Sequence, residues 1–296
     1  MIQKSITEYV LEFVDNYLPL WFNNEENKGP LFIYISGPQG IGKSYVSELL
    51  CSHLQEKYRD EGKNIVRMSI DDFYLTHKDQ EALNDQFDDN DLLQGRGLPG
   101  THDMKLLGDC LRAILHGENP MATGASETQY VSLPQYDKSK FGGAGDRSSE
   151  FVKVKLPIDV VILDGWFLGF HPILRGVELD ESQLKGDIVD VNGHLFMYSD
   201  LIWDNPEIKS LGIVLTTDDI KNVYTWRRDQ EHELIKEKGS GMTDEEVEKF
   251  LDRYMPCYDL YYDTFMHSES FGSIATLTLG IDINRHVYSV RQRSIE

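Results

Sequence analysis

Apolar segments of strand length recur along the chain and are separated by stretches whose apolar residues have helical spacing. Residues 158–163 and 211–215 are continuous apolar runs, which suit parallel strands that are buried on both faces. Further strands are predicted at residues 31–35, 64–70 and 274–279. This alternation predicts an α/β fold in which a mostly parallel central sheet lies between two layers of helices.

The stretches between the strands predict the helices and the extent of the domain. Amphipathic helices are expected at residues 1–22, 103–116, 219–237 and 243–263. Residues 119–150 and 176–193 instead have the character of loops or insertions. Neither a composition shift nor an internal repeat marks a boundary, so we expect one domain, residues 1–296, that carries these two insertions.

Polar side chains follow the predicted strands at the point where each strand ends. Ser36, Asp71, Asp164 and Thr216 occupy these positions. The carboxyl ends of parallel strands meet at one edge of an open sheet, and ligands bind along that edge. The sequence therefore predicts a ligand site there.

The loop after the first strand matches the phosphate-binding pattern G-x-x-x-x-G-K-[ST], known as the P-loop or Walker A motif. Backbone N–H groups in such a loop and the dipole of the helix that follows favour bound phosphate. Lys43 would reach the outer phosphates of a nucleotide, and the Ser44 hydroxyl would hold Mg²⁺. The predicted nucleotide-binding loop is Gly37, Pro38, Gln39, Gly40, Ile41, Gly42, Lys43 and Ser44.

Two carboxylates at strand ends have a catalytic and a structural interpretation. Asp164 could assist Mg²⁺ binding, or it could be satisfied by the turn at Gly165. Either Asp71 or Asp72 could accept a proton from a substrate hydroxyl, while the same residues could instead cap the next segment. The residues alone leave both alternatives open.

Arg227 is predicted on the inward face of a helix, which is unusual for a side chain that is always charged. It shares a stripe with Ile220, Val223 and Tyr224 at helical spacing. A phosphate partner or a buried carboxylate would explain this position equally well. Arg228 points elsewhere on the helix and is the weaker candidate for contact with the nucleotide.

Five residues are candidates for the acceptor side of the site, and each also has a simpler interpretation. Asp103 could cap the helix that follows it, and Lys138 and Arg147 could be solvent-exposed. Anion or substrate recognition is the functional alternative. The candidate substrate-binding residues are Arg96, Asp103, Tyr136, Lys138 and Arg147.

Charge and cysteine usage narrow the classes of partner. The formal net charge of −21 argues against nucleic acid, because duplex binding needs clustered cations. No apolar run reaches the roughly 20 residues that span a membrane, and the N-terminus lacks a secretory signal. Three cysteines without a C-x-x-C pair fit a reducing compartment, so we expect a cytoplasmic protein, with a nuclear pool left open. No obligatory protein partner is evident.

These motifs together resemble the fungal glycerate-kinase-like proteins, which are related to plant-type D-glycerate 3-kinases. The chain is similar, more distantly, to the phosphoribulokinase, uridine kinase and pantothenate kinase group. The resemblance covers nearly the whole chain, at residues 37–44, 69–75, 93–104, 133–147, 162–170, 210–233, 242–256 and 268–281.

The resemblance implies a P-loop kinase of a small hydroxylated metabolite that uses ATP and Mg²⁺, with glycerate as the first acceptor to test. It implies that Asp71 is the base, that Asp103 contacts substrate hydroxyls, and that Arg227 and Arg228 correspond to lid arginines. Residues 136–138 look like the group's substrate-side loop. Two other hypotheses remain: a regulatory protein that uses ATP as a switch, and a nucleoside or pantothenate-type kinase.

Overall fold

The computed structural model describes residues 4–117, 129–174, 184–238 and 241–294 of the chain. In these ranges the strands are β1 (Leu31–Ser36), β2 (Ile65–Ser69), β3 (Tyr130–Leu133), β4 (Tyr136–Asp137), β5 (Asp146–Arg147), β6 (Val152–Lys155), β7 (Val160–Gly165), β8 (Lys209–Thr216), β9 (Ala275–Ile281) and β10 (Val287–Ser294). The helices are α1 (Ile6–Asn23), α2 (Lys43–Lys57), α3 (His77–Gln86), α4 (Met104–His116), α5 (Ile188–Leu201), α6 (Asn222–Lys238), α7 (Asp244–Asp252) and α8 (Met255–Met266).

The central sheet has six strands in the order β10-β9-β8-β1-β7-β2. All neighbours pair in parallel except β9 and β10, which are antiparallel. All five predicted strands lie in this sheet, and the predicted α/β fold with a mostly parallel sheet is confirmed. β10 was not predicted from the sequence; it forms a polar edge of the sheet and is exposed over most of its length.

Side chains of β1 alternate between two hydrophobic clusters, one on each face of the sheet. Leu31, Ile33 and Ile35 pack with apolar residues of α1, α2, α6 and α7. Phe32 and Tyr34 pack with apolar residues of α4, α5 and α8. Every residue of β1 is buried, as expected for a central parallel strand.

Several helix predictions need correction. The single helix predicted at residues 243–263 is two helices, because Arg253 and Tyr254 separate α7 from α8 and Pro256 lies in the first turn of α8. Proline has no backbone N–H and is favoured at a helix start, so it marks a new helix here. Neither α3 nor α5 was predicted from the sequence, and α5 begins inside the predicted insertion 176–193.

The two predicted insertions fall partly outside the described residues, at 119–128 and 176–183. The described part of the first insertion carries short strands, with β3 pairing with β6 and β4 pairing with β5. The single-domain interpretation stays a prediction.

The carboxyl ends of β1, β2 and β7 are level at one edge of the sheet. Ile35 and Ser69 both pair in register with Asp164 of β7. The P-loop, the turn at 70–73 and Asp164 are therefore close together. Thr216 ends β8 at the same edge, but its hydroxyl donates to the Leu279 carbonyl, 3.2 Å away.

Candidate active site

The P-loop joins β1 to α2, and its conformation depends on Gly40 and Gly42. Gly42 caps α2 with φ of 109°. Gly40 has φ of 78°, and a Cβ there would be 2.6 Å from the Cβ of Trp226 on α6. Because a side chain at Gly40 would collide with α6, glycine lets the loop lie against that helix. The loop thus leaves the N-terminus of α2 open as an anion site.

Lys43 is the first residue of α2, and its Nζ donates to the Pro38 carbonyl at 2.9 Å. Burial lowers the pKa of Lys43 to about 8, although Asp164 and Asp71 oppose this shift. Nearby phosphate would favour the charged ammonium in the same way as these carboxylates do. The Ser44 side chain is exposed at the same helix start.

Asp164 is buried and accepts three hydrogen bonds. Ser47 Oγ donates to it at 2.8 Å, Ser69 Oγ at 3.1 Å, and the Arg67 guanidinium at 3.0 Å. The turn at Gly165 therefore does not account for this carboxylate. Arg67 was not predicted, although an arginine inside an otherwise apolar strand is a signal that could have identified it.

The residues around Asp164 could hold Mg²⁺ only if nucleotide phosphates supplied the remaining ligands. In the parts of the chain that the structure describes, no group of three or more His, Cys, Asp or Glu side chains could hold a metal by itself. Mg²⁺ commonly binds to one or two protein groups together with substrate phosphates. Ser44 and Asp164 match that limited donor set, with Asp164 already held in place by Arg67.

The two carboxylates of the turn at 70–73 are used differently. The Asp72 carboxylate accepts from the Ser69 backbone N–H at 3.2 Å and completes the cap of the turn. Asp71 instead accepts from the Tyr74 hydroxyl at 2.9 Å and from Lys138 Nζ at 2.6 Å. Burial raises the pKa of Asp71, but Lys138 and Tyr74 outweigh it and hold the pKa at about 2.

The P-loop and the Asp71 turn face one cavity of about 260 Å³. Its wall thus combines candidate phosphate-binding groups with candidate acceptor-binding groups. Lys43 is the cation on the P-loop side, and Arg96 and Lys138 are the cations on the acceptor side. The predicted site residues that line the cavity are Gln39, Gly40, Gly42, Lys43 and Ser44 of the P-loop, with Asp71, Arg96, Lys138, Asp164 and Arg227 outside it. The lining residues that the sequence analysis missed include Tyr74, Trp166, Gln230, Phe250 and Tyr254.

Arg227 borders this cavity from α6 and has a buried carboxylate partner, Glu231. Glu231 is 3% exposed, and its other oxygen accepts from the Met242 N–H at 3.2 Å. The Nε of Arg227 is buried with no partner in the described chain. Both explanations of its inward position therefore remain compatible: a carboxylate holds one side of the guanidinium, and Nε is left to donate.

Arg228 does not share this position. It is exposed, its Nε donates to the Tyr224 carbonyl at 3.3 Å, and it is not among the residues that line the cavity. Nucleotide contact by Arg228 stays a prediction without a supporting contact.

The acceptor-side candidates form a connected group next to the cavity. Arg96 donates to the Gly143 carbonyl at 2.6 Å and lies over the Tyr136 ring, 5.7 Å from its centroid. Asp103 caps α4 with one oxygen and accepts from Arg147 with the other, at 3.0 Å. Arg96 lines the cavity, whereas Asp103, Arg147 and Tyr136 do not.

Arg147 contradicts the simple expectation of solvent exposure, because its side chain is only 13% exposed. It also donates to the Tyr74 carbonyl at 3.0 Å, which braces the turn that carries Asp71. Lys138 remains 56% exposed while it pairs with Asp71.

His102 is buried beside the turn that carries Asp71, and no role at the site was predicted for it. Its ring stacks on Tyr74 at 4.4 Å, and its Nδ1 lies 2.8 Å from the Tyr198 hydroxyl. Burial lowers the pKa of His102 to about 3, so the ring is neutral at neutral pH. A neutral ring in this stack supports Tyr74, which donates to Asp71.

A P-loop at the edge of a mostly parallel sheet, with carboxylates facing the same cavity, defines a P-loop nucleotide-binding protein and fits a kinase of that class. No family model matches the chain. The Saccharomyces cerevisiae protein called "Probable ATP-dependent kinase TDA10" is 60% identical over 294 residues, which are 99% of this chain and 98% of that one. The solved structure of the YGR205w protein is 59% identical, with a TM-score of 0.90, and covers 99% of this chain and 100% of its own.

The D-glycerate 3-kinase from Cryptococcus neoformans is a third similar protein. Its structure is 34% identical, with a TM-score of 0.80, and the match covers 98% of this chain and 100% of that one. The chain belongs to the family of glycerate-kinase-like ATP-dependent kinases, which are phosphotransferases with an alcohol group as acceptor.

Among the residues that the structure describes, no helix is both long enough and apolar enough to cross a membrane.

Proposed function

We propose that this kinase transfers the γ-phosphoryl group of ATP to a hydroxyl of a small hydroxy acid, with D-glycerate as the first acceptor to test. The observation that carries the proposal is the Asp71–Lys138 pair, 2.6 Å apart, in the cavity that also contains the P-loop lysine. The carboxylate suits a hydroxyl group, and the ammonium suits an acid group. The similarity to a D-glycerate 3-kinase supports the same class of acceptor.

The donor side of the reaction would rest on the P-loop. Lys43 and the N–H groups at the start of α2 would hold the outer phosphates, and Ser44 with Asp164 would hold Mg²⁺. That ion supplies positive charge next to the phosphate oxygens. Arg227 borders the same cavity and would stabilise charge on the transferring group, for which it has an unused buried Nε.

The acceptor side would rest on Asp71. Its carboxylate is ionised at neutral pH and can accept a hydrogen bond from the acceptor hydroxyl, then take the proton as the new P–O bond forms. A pKa of about 2 makes Asp71 a weak base while it is paired with Lys138. An acceptor carboxylate would attract Lys138, and the pKa of Asp71 would then rise towards the range in which a base is effective.

Exchange of the two neighbouring carboxylates tests this assignment. Asp71→Asn should lower kcat by about 10²- to 10⁴-fold and leave ATP affinity unchanged, because the amide cannot take the proton. Asp72→Asn is the matched control: its carboxylate caps the turn, so turnover should persist with a modest loss of stability. Near-normal turnover in Asp71→Asn would overturn the base assignment.

Mass-spectrometric detection of phosphorylated products identifies the acceptor. The protein is incubated with ATP, Mg²⁺ and a panel of hydroxy acids, sugars, nucleosides and pantothenate. Phosphoglycerate, or another phosphorylated hydroxy acid, is the expected product. A phosphorylated nucleoside or pantothenate would contradict the proposed acceptor class, and the absence of any product would favour a regulatory nucleotide switch.

We also infer a cytoplasmic location. Cys51, Cys110 and Cys257 are all free and buried, which suits a protein of a reducing compartment.

A further inference from the structure

Four buried tyrosines lie at the start of α8 or within it, and one of them differs from the others. The Tyr261 hydroxyl donates to Asn192 Oδ1 at 2.9 Å, and Tyr262 accepts from the Thr217 N–H at 2.7 Å. The Tyr258 hydroxyl bonds to Gln39 of the P-loop. The Tyr254 hydroxyl makes no hydrogen bond with any residue in the described chain. The Tyr254 oxygen is not among the buried atoms that lack a partner, so the hydroxyl is open to the cavity and its donor is unused within the described chain.

The Tyr254 side chain faces the cavity that contains Asp71, Arg96 and Arg227. Its position is fixed by packing rather than by hydrogen bonds. The centroid of its ring lies 5.0 Å from that of Trp166 and 5.1 Å from that of Phe250. The residue is 4% exposed. A hydroxyl held this rigidly loses little freedom when it binds a ligand.

The hydroxyl is placed on the acceptor side of the cavity. A Cβ at Gly97, which has φ of 138°, would be 2.1 Å from Tyr254 Oη, so the hydroxyl touches the backbone of the segment that carries Arg96. The contact with the P-loop is made instead by Tyr258, one helical turn further along. The donor therefore belongs to the acceptor substrate's half of the site.

The charges around this hydroxyl favour an anionic ligand atom. Three cations, Arg253, Arg96 and Arg227, lower the pKa of Tyr254, and one carboxylate, Asp71, raises it. Positive charge therefore predominates around the hydroxyl. Burial raises the pKa of Tyr254 to about 12, so the hydroxyl keeps its proton at neutral pH and is able to donate.

We propose that the Tyr254 hydroxyl donates a hydrogen bond to an anionic oxygen of the acceptor substrate and thereby selects acids among hydroxylated acceptors. This inference rests on the proposed function, since it adds a specificity-determining residue to the same site. The hydrogen bond would orient the acceptor so that its hydroxyl meets Asp71.

Two tyrosine variants of the full-length protein, one at the cavity and one away from it, test the proposal. Tyr254→Phe removes only the unpaired hydroxyl, and Tyr261→Phe removes a hydroxyl that bonds to Asn192 away from the cavity. Steady-state KM and kcat are measured for D-glycerate, or for the best hydroxy acid of the panel, and for ATP. Melting temperatures are measured for both variants.

The expected results have opposite patterns. Tyr254→Phe should raise the acceptor KM or lower kcat/KM for the acceptor by about 10- to 100-fold, with the ATP KM and melting temperature unchanged. Tyr261→Phe should melt at a lower temperature with unchanged kinetic constants. A lower melting temperature without a kinetic effect in Tyr254→Phe would show a structural role and overturn the inference.

The remaining outcomes separate this inference from the proposed function. If the wild-type protein phosphorylates a hydroxy acid and Tyr254→Phe has wild-type constants, only the inference is wrong. If the ATP KM rises instead of the acceptor KM, the hydroxyl serves the nucleotide and the inference is again wrong. If the wild type phosphorylates no hydroxy acid, both are overturned.

Discussion

Asp71 and Lys138 are the closest oppositely charged pair in the cavity, and each changes what the other can do. The ammonium keeps the Asp71 carboxylate ionised despite burial, which acts in the opposite direction. The carboxylate in turn keeps an exposed lysine at the acceptor side. The pair therefore offers an ionised carboxylate to the hydroxyl of a hydroxy acid and an ammonium to its acid group.

Removal of the lysine should move the acid limb of the pH profile. Asp71 must be ionised to act as a base, so activity is lost as pH falls through its pKa. In Lys138→Met, burial acts without the opposing ammonium, the pKa of Asp71 rises, and the acid limb of kcat/KM moves to higher pH. The measurement is kcat/KM for the acceptor from about pH 4 to about pH 8.

Lys140→Met is the matched control for this variant. Lys140 lies two residues along the same loop, but it pairs with Asp146 at 3.8 Å and not with Asp71. Its acid limb should stay in the wild-type position. If Lys138→Met keeps the wild-type acid limb, or if Lys140→Met shifts it equally, the Lys138–Asp71 pair does not control the pKa of Asp71.

The site residues that were predicted have signals close by in the sequence. The P-loop, Asp164 and Arg227 were predicted from motif spacing, strand ends and helical periodicity, whereas the choice of Asp71 over Asp72 came from the family resemblance. Arg67 and Tyr254 were missed because each contacts a residue far away in sequence. Arg67 donates to Asp164, and Tyr254 touches Gly97.

At the scale of elements, the site depends on α6 lying directly against the P-loop. Trp226 of α6 leaves room only for glycine at position 40. It also donates from its indole N–H to the Ile283 carbonyl at 2.8 Å, which ties α6 to the β9–β10 turn. The distance between Arg227 and the nucleotide site is therefore set by this packing.

A methyl group at position 40 should separate the two elements. Gly40→Ala would place a Cβ 2.6 Å from the Trp226 Cβ, so the loop or α6 must shift. We expect ATP affinity to fall about tenfold or more, measured by isothermal titration, because small displacements of binding groups are costly.

Gly62→Ala controls for backbone strain alone in that experiment. Gly62 has φ of 65°, close to that of Gly40, but a Cβ there would meet nothing within 4 Å. It should lose some stability and keep its ATP affinity. Equal losses of affinity in both variants would show that contact with α6 is not the cause.

Elements were predicted well where their signal is local. The five predicted strands are mostly apolar and mostly buried, whereas β10 is mostly polar and α3 has only one buried residue. The false continuous helix at residues 243–263 arose because apolar spacing continues across the break at Arg253 and Tyr254. The buried residues of α7 and α8 belong to different hydrophobic clusters, on opposite faces of the sheet, and apolar spacing by itself does not show that the chain passes from one face to the other.

At the scale of the whole molecule, the net charge of −21 contrasts with the cationic lining of the cavity. Several ion pairs have both partners exposed, including Lys4 with Glu12 and Arg293 with Glu269, and such pairs contribute little to stability. Repulsion between excess carboxylates should therefore dominate the long-range electrostatic contribution to stability.

Screening of this repulsion should stabilise the fold. The Debye length falls to about 10 Å at 0.1 M salt, so added NaCl weakens repulsion between distant carboxylates more than it weakens close pairs. We expect the melting temperature to rise from low salt to about 0.3 M NaCl, measured by scanning calorimetry. A melting temperature that falls over this range would show that attractive pairs outweigh the excess charge.

The sequence alone determined the class of fold, and it predicted the phosphate-binding loop and the edge of the sheet at which we expect ligand to bind. These follow from periodicity and from one contiguous motif, which act over a few residues. Tertiary structure alone decided that Asp72 rather than Asp71 caps the turn, that Glu231 holds Arg227, and that Lys138 pairs with Asp71. The physical reason is that packing and burial, which no local pattern encodes, determine which charged groups meet and how their pKa values shift.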